Sequence, residues 1–471
     1  MATLKHNPIA IDKDKPFANC KLQRQPYAEV LTDIVSNYAD GFVLAINNEW
    51  GTGKTTFVKM WQQHLEIHKY QTLYFNAWEN DFEDDVLVAL LSELSELKEA
   101  KTGKAFKTVI KAAAPLAKKA LPSLVKSLTK TYAGNDFFKD MIDAIAETTA
   151  DGLEAELKSY SSRKHSIQSF RDSLQKFVEK ADSEKPVIFI LDELDRCRPN
   201  YAVRVLEQIK HLFSVPGIVF VLSIDKNQLG HAVRGVYGSE SLNADEYLRR
   251  FIDLEYTLPP PATKQFCQYL YTHHGFNEYI RLTDRTKFHN VDEQQTQFVD
   301  FASLLFENVN LPLRAQAKIF AHARVTLEMF KVNGFFFPSL LILVIFIRQH
   351  NQNLYERIKN LKVSVQDLLQ EVEILFPKHL EKRKNYLFLD TLAQLVYFYN
   401  NSLTDSVPLI DYDNDFRKNI TPLKSNFDTS PDQKELVSGI EHLAGHRYFD
   451  RLDLSYLMLR IELIEPFKKI D

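Results

Sequence analysis

Two short stretches have the residue types and spacing to handle a phosphate chain: "NNEWGTGKTT" (47–56) and "VIFILDELDR" (187–196). The first follows G-x-x-x-x-G-K-[ST], with Asn48 where the first glycine belongs and Gly53, Lys54 and Thr55 in register. In such a loop the backbone N–H groups of Asn48, Glu49, Trp50, Gly51, Thr52, Gly53, Lys54, Thr55 and Thr56 can cradle phosphate oxygens at a helix N-terminus. Lys54 would reach the β- and γ-phosphates, and the Thr55 hydroxyl would ligate Mg²⁺. Asn48 is expected to be tolerated because Asn is enriched among non-glycine residues with φ > 0. Short motifs match loosely, so the loop alone leaves an ordinary glycine turn as the alternative.

The second stretch answers the first. Asp192 and Glu193 follow five apolar residues, so both emerge at the carboxyl end of a buried strand, the end at which ligands bind in parallel sheets. Asp192 would hold the Mg²⁺ shell and Glu193 would accept a proton from the attacking water. Alone, "DELD" also reads as an acidic turn or helix cap. The two elements together, in this order, point to a nucleotide site using ATP and Mg²⁺. No N-K-x-D motif for reading guanine follows the fourth strand, which continues into "DKNQ".

The elements that must position these residues are legible as short apolar runs alternating with helical patterns: 41–46, 71–78, 186–191, 217–224 and 251–258. Continuous runs of this kind predict buried strands of a mainly parallel sheet. Beyond "PPP" at 259–261 the chain reads as helices. One begins at "SPDQ" (430–433), with Ser430 as the expected cap and Gln433 reaching back. The greasiest run, 335–347, is well short of the roughly 20 residues that span a bilayer, and predicts a buried helix. In 106–130, Phe106, Ile110, Ala113, Ala117, Leu121, Leu124 and Leu128 fall on one side, with Lys107, Lys111, Lys118, Lys119, Lys126 and Lys130 opposite. Pro115 and Pro122 would bend or divide this helix. A solvated lysine face is the plain reading of it. A contact of residues 104–130 with an anionic membrane or nucleic acid is the alternative.

Composition sets the outer bounds. With 471 residues, 45% hydrophobic and 25% charged, the chain is expected to form two or three globular domains, and its net charge of -4 gives no global reason to bind nucleic acid. Three cysteines without metal-ligand spacing, and no apolar signal segment, predict a cytoplasmic protein with, at most, peripheral membrane contact.

"NEWGTGKTT", "YFNAWEND", "FILDELDRCRP", "LSIDKNQL", "EYLRRFIDLEYTLPPP" and "LPLRAQAKIF" together resemble the KAP family of phosphate-loop NTPases over about the first 330 residues. The resemblance implies an ASCE-type α/β core with strand order 5-1-4-3-2 and a helical lid. The expected layout is a phosphate-loop core in 1–97 and 160–260, a Lys-rich helical insertion at 98–159, a helical lid at 261–349 and a helical region at 350–471. Many members carry membrane-spanning helices where this chain has its lysine-faced segment, and bacterial members often serve anti-phage defence with a separate effector. Similarity to AAA-like ATPases makes Arg250 the expected arginine finger toward a neighbouring subunit, and Arg314 the lid's sensor-2 arginine. It places Ser223 and Asp225 where a sensor-1 group sits, with Arg249, Arg196 and Arg198 as alternatives for the finger. The resulting expectation is a homo-oligomeric, Mg²⁺-dependent ATPase that drives assembly or activation of an effector. A nucleotide-held switch or scaffold with little hydrolysis is the alternative.

Overall fold

β-Branched and aromatic residues dominate the five apolar runs, and each becomes a parallel strand: β1 Val43–Asn47, β2 Thr72–Asn76, β3 Val187–Asp192, β4 Ile218–Ile224 and β5 Leu254–Tyr256. These belong to a computed structural model that describes residues 9–38, 41–82, 85–97, 102–116, 153–181, 184–280, 291–331, 334–376, 380–404, 409–412, 418–420, 423–430, 433–446 and 448–463. The order across the sheet is β2-β3-β4-β1-β5, the expected 5-1-4-3-2 read from the other edge. Central β3 and β4 are buried at every position, which is why they read as unbroken apolar runs.

Alternate residues face two separate cores. Val43, Ala45, Phe189 and Phe220 enter one; Leu44, Ile46, Ile188 and Val221 enter the other, under Phe57 and Trp61 of helix α2 (Lys54–Ile67), which follows α1 (Gln25–Asn37). Asp192 pairs in register with Asn76 on one side and Ser223 on the other, so the carboxyl ends of three strands share one edge.

β5 is shorter than the apolar run 251–258, because side chains take over the pairing at both ends. The Asp253 carboxylate accepts the Val43 N–H at 2.8 Å, and the Asn48 amide both donates to Leu258 O and accepts Leu258 N–H, each at 2.9 Å. Pro259 then stops the strand, since proline has no N–H to offer a ladder.

The chain divides into two compact units, residues 8–260 and a second made of 1–7 and 261–471. In the first, the helix Gly103–Ala113 ends just before Pro115 and packs on the long helix Leu153–Ala181, with Phe106 5.3 Å from Phe177 between ring centroids. Phe106, Ile110 and Ala113 are buried and Lys107 and Lys111 exposed, as the spacing requires. The remaining positions of the amphipathic pattern, including Lys118 and Lys119, lie outside the described residues.

The second unit is helical apart from a small antiparallel pair, Ile410–Tyr412 with Lys418–Ile420. Its helices pack through aromatic clusters such as Phe276, Phe298 and Phe320. The greasy run forms the helix Pro338–His350, buried from Pro338 to Ile347. Among the described residues no helix is long and apolar enough to cross a membrane. The helix expected to start at Ser430 starts instead at Lys434, and its first turn is capped by Asp428, whose Oδ2 accepts the Leu436 N–H at 2.8 Å. Ser430 turns its hydroxyl to Asp428 and also accepts the Glu435 N–H at 3.4 Å, so the expected cap takes part, and Gln433 donates to the Asp428 carbonyl. A carboxylate is the stronger acceptor for a helix N-terminus.

Candidate active site

The loop after β1 is built from two glycines in the left-handed region, Gly51 at φ 82° and Gly53 at φ 84°. Gly53 is the N-cap of α2 and brings no side chain to cap it, so the first N–H groups of that helix keep their capacity for an anion. A Cβ on Gly53 would also come 3.3 Å from Arg24 Nη1.

Arg24 holds the loop from behind. It is 3% exposed, and its guanidinium donates to Thr52 O at 2.8 Å and Gly53 O at 3.2 Å. Burial lowers its pKa, and it forms no ion pair among the described residues, so the loop carbonyls meet its two terminal nitrogens while Nε stays buried without a partner. Thr52 closes the turn by donating its hydroxyl to Glu49 O at 2.8 Å.

Lys54 is likewise buried, with Nζ donating to Asn48 O at 2.5 Å and Glu49 O at 3.0 Å. Burial pushes its pKa down, while the charges of Asp195, Asp225 and Asp192 push it up. One buried ammonium and three buried carboxylates thus share this edge of the sheet, a local excess of negative charge that suits a divalent cation. Asn48 is a correction to the expectation: it is absent from the residues with positive φ, and its side chain serves the β1–β5 pairing described above.

Asp192, 1% exposed, has both oxygens engaged: Oδ1 accepts the Glu193 N–H at 3.0 Å and Oδ2 the Tyr74 hydroxyl at 2.9 Å. Burial first, and then the Asp192 charge, raise the Tyr74 phenol far above its ordinary value, so it stays a donor. Glu193 sits at φ 62°, a conformation that costs a non-glycine residue about 1–3 kcal/mol and is retained where surroundings demand it. Its Oε1 lies 2.7 Å from Arg196 Nη1, and its Oε2 accepts from Asn76 Nδ2 at 3.3 Å. The Trp50 indole N–H donates to the Asp195 carboxylate, linking the loop to the segment after β3. Burial raises the Asp195 pKa, and the Trp50 bond and Lys54 oppose the rise.

At the end of β4, Ser223 Oγ is buried beside Asp192 without a partner among the described residues. Asp225 instead caps the helix Lys226–Tyr237, accepting from Asn227 and Gln228 N–H groups. The donor set of Asp192 carboxylate, Thr55 hydroxyl and an unpaired Ser223 hydroxyl is all hard oxygen, which fits Mg²⁺. Among the described residues no cluster of three or more His, Cys, Asp or Glu could hold a metal by itself.

The two arginines chosen from the sequence are not among these contacts. Arg250 precedes β5 at the amino-terminal end of the sheet, opposite the loop, and Lys210 donates to its carbonyl. Arg314 lies in the first turn of Leu313–Leu327, in the second unit. Arg249 pairs with Glu246, and Arg198 with Asp81. Sequence reasoning missed Arg24, Tyr74 and Asn76 as members of the site. The latter two alternate on β2, a signal that shows only once β2 is known to lie beside β3.

No curated protein matches the chain. Among solved structures, it is similar to the Aeropyrum pernix ORC2 protein, described in ADPNP–ADP complexes, at 13% identity and a TM-score of 0.29, over 90% of this chain and 95% of that one. It is also similar to Drosophila ORC bound to poly(dA/dT) DNA and Cdc6, at 12% identity and a TM-score of 0.30, over 94% of this chain and 62% of that one. The profile of the KAP family P-loop domain matches residues 24–360, from the arginine behind the loop through all five strands. With a five-stranded sheet in the implied order and this loop at its carboxyl edge, the chain belongs to the KAP family of P-loop NTPases.

Proposed function

We propose that this chain is a Mg²⁺-dependent ATPase whose turnover drives assembly or activation of a separate effector, in the manner of defence-associated members of its family. The observation that carries the reading is the Gly51–Gly53 turn at a helix N-terminus, with the buried Lys54 in it, Trp50 bonded to Asp195, and Asp192 and Glu193 at the same edge of the sheet. Lys54 and the N–H groups of residues 51–55 would bind the phosphates, with Arg24 keeping the loop in shape. Thr55 and Asp192 would hold Mg²⁺, which when bound spreads the charge of the terminal phosphate. Tyr74 keeps the Asp192 carboxylate turned toward that position, and Glu193 takes the proton of the attacking water. Arg250 would complete the site of a second copy, and Arg314 would act as the sensor arginine of the region after the sheet.

The test is phosphate release and nucleotide binding by Glu193→Gln. The variant is expected to bind ATP with Mg²⁺ as the wild type does and to hydrolyse it about 10²–10⁴-fold more slowly, since the amide keeps the shape and cannot take a proton. Hydrolysis within a few-fold of wild type would move the base elsewhere, Asp195 first. A second reading, a nucleotide-held switch with little hydrolysis, draws support from Glu193 having both oxygens engaged. Turnover of the purified wild type separates the two.

A further inference from the structure

We propose that Arg196, held against Glu193 by the Trp78 ring, is a positioning residue that restrains hydrolysis until it is displaced. The inference rests on the reading of Glu193 as general base. Four residues close a circuit at the edge of the site. Asn76 Oδ1 accepts the Trp78 N–H at 3.1 Å and Asn76 Nδ2 donates to Glu193 at 3.3 Å. Glu193 pairs with Arg196 at 2.7 Å, and the Arg196 guanidinium lies 5.7 Å from the centroid of the Trp78 ring.

In hydrolysis the water oxygen attacks the terminal phosphorus and its proton passes to the Glu193 carboxylate. The bond from phosphorus to the bridging oxygen breaks, and ADP departs with that electron pair. Each Glu193 oxygen keeps a second lone pair, but an oxygen that already accepts a charge-assisted bond is a weaker base and is held in one orientation. The Arg196 bond is the short, charge-assisted one and the Asn76 bond the long one, so Arg196 is the restraint that counts.

The pair is partly buried, with the Arg196 side chain one-quarter and the Glu193 side chain 13% exposed, while Trp78 is 53% exposed, so a melting curve for each variant is read beside its kcat. Trp78 rides on the turn after β2, whose Asp81 is tied to the main chain and side chain of Arg198. Because the Trp78 ring is itself exposed, a partner that takes up the ring would remove the shelf from Arg196, which links an exposed face of the protein to the base.

The experiment measures kcat for phosphate release and, separately, ATP affinity for the full chain. Arg196→Met is expected to raise kcat about tenfold, the scale of one charge-assisted hydrogen bond, with ATP affinity unchanged. Arg196→Lys should fall between, and Trp78→Ala, which keeps the charge and removes the shelf, should raise kcat by a smaller factor. The gain should vanish when Arg196→Met is combined with Glu193→Gln. A merely structural role lowers kcat and stability together. A fall in kcat at constant affinity would make Arg196 a cation acting on the phosphates, and an unchanged kcat in both Arg196→Met and Trp78→Ala would make the circuit idle; either overturns the proposal. Normal hydrolysis by Glu193→Gln alone sinks the base reading itself, whereas a slowed Glu193→Gln with no gain from Arg196→Met sinks only the restraint.

Discussion

The two ends of one sheet are finished in different ways. At the carboxyl end, side chains replace main chain: Asn48 pairs with Leu258, Tyr74 with Asp192 and Asn76 with Glu193, while Lys54 bonds to loop carbonyls. At the amino end, the side-chain bonds go to main chain: Asp253 accepts the Val43 N–H, Lys210 donates to the Arg250 carbonyl and Ser214 to the Gly41 carbonyl. Gly41, at φ 90°, lies so close to Val215 that a Cβ would meet its carbonyl at 2.7 Å, and Arg250 makes no ion pair among the described residues. The difference teaches where ligand chemistry is to be sought. Buried polar groups are costly unless paired, so an edge that gathers four acids, an ammonium and an unpaired serine is held together by something beyond packing.

The largest expected effect tests the bare end. Strand β4 alone runs through seven residues, roughly 23 Å at 3.3 Å per residue, so Arg250 is out of reach of the loop at the other end of its own sheet. If Arg250 serves a second copy, Arg250→Ala should lower ATP turnover by about 10³-fold or more, the scale of an arginine finger. Mixing it with Glu193→Gln should restore activity, because the intact Glu193 of one variant can meet the intact Arg250 of the other. Turnover per wild-type chain should rise with concentration. A mixture as inactive as its components, with turnover flat on dilution, would leave the two ends unconnected.

Next in size is Lys54→Ala, which removes the one ammonium within the acidic cluster. ATP affinity is expected to fall by about 10²-fold, as for a lost charge-assisted contact to phosphate, with thermal stability kept; titration with a fluorescent ATP analogue reads the first and a melting curve the second. Unchanged affinity would remove the phosphates from this edge altogether.

The smallest effect sharpens the contrast. Asn48→Gly would complete the loop's glycine pattern and yet is expected to destabilise the fold by about 1–3 kcal/mol, since Leu258 loses partners for both its N–H and its carbonyl. Urea unfolding checks it. A more stable Asn48→Gly would mean that the loop wants the glycine and that the pairing is incidental.

Much of this was written locally. Strand positions follow from runs such as 187–192 and 218–224, because a parallel strand buried on both faces has to be apolar at every step. The Gly53-Lys54-Thr55 turn and the acids after β3 are local too, as their chemistry fixes the spacing. Helix 103–113 shows the same legibility, its lysines exposed and its apolar side against Leu153–Ala181. At Lys434–Ala444 the Ser430 hydroxyl takes part in the cap, while only the path of the chain brings the Asp428 carboxylate to the Leu436 N–H.

The sequence by itself determined the sheet, the loop and the identity of the acids, because periodicity and motif spacing act within a few residues of the chain. Tertiary structure alone decided which groups each acid meets. Tyr74 and Asn76 reach Asp192 and Glu193 because β2 lies beside β3, although a long stretch of chain separates them. Arg24 lies behind the loop because its helix Gln25–Asn37 packs on α2, and Asn48 turned out to be a pairing residue because β5 ends beside it. Such contacts depend on strand order and register, which bring distant residues within hydrogen-bond range and leave no period in the chain to read.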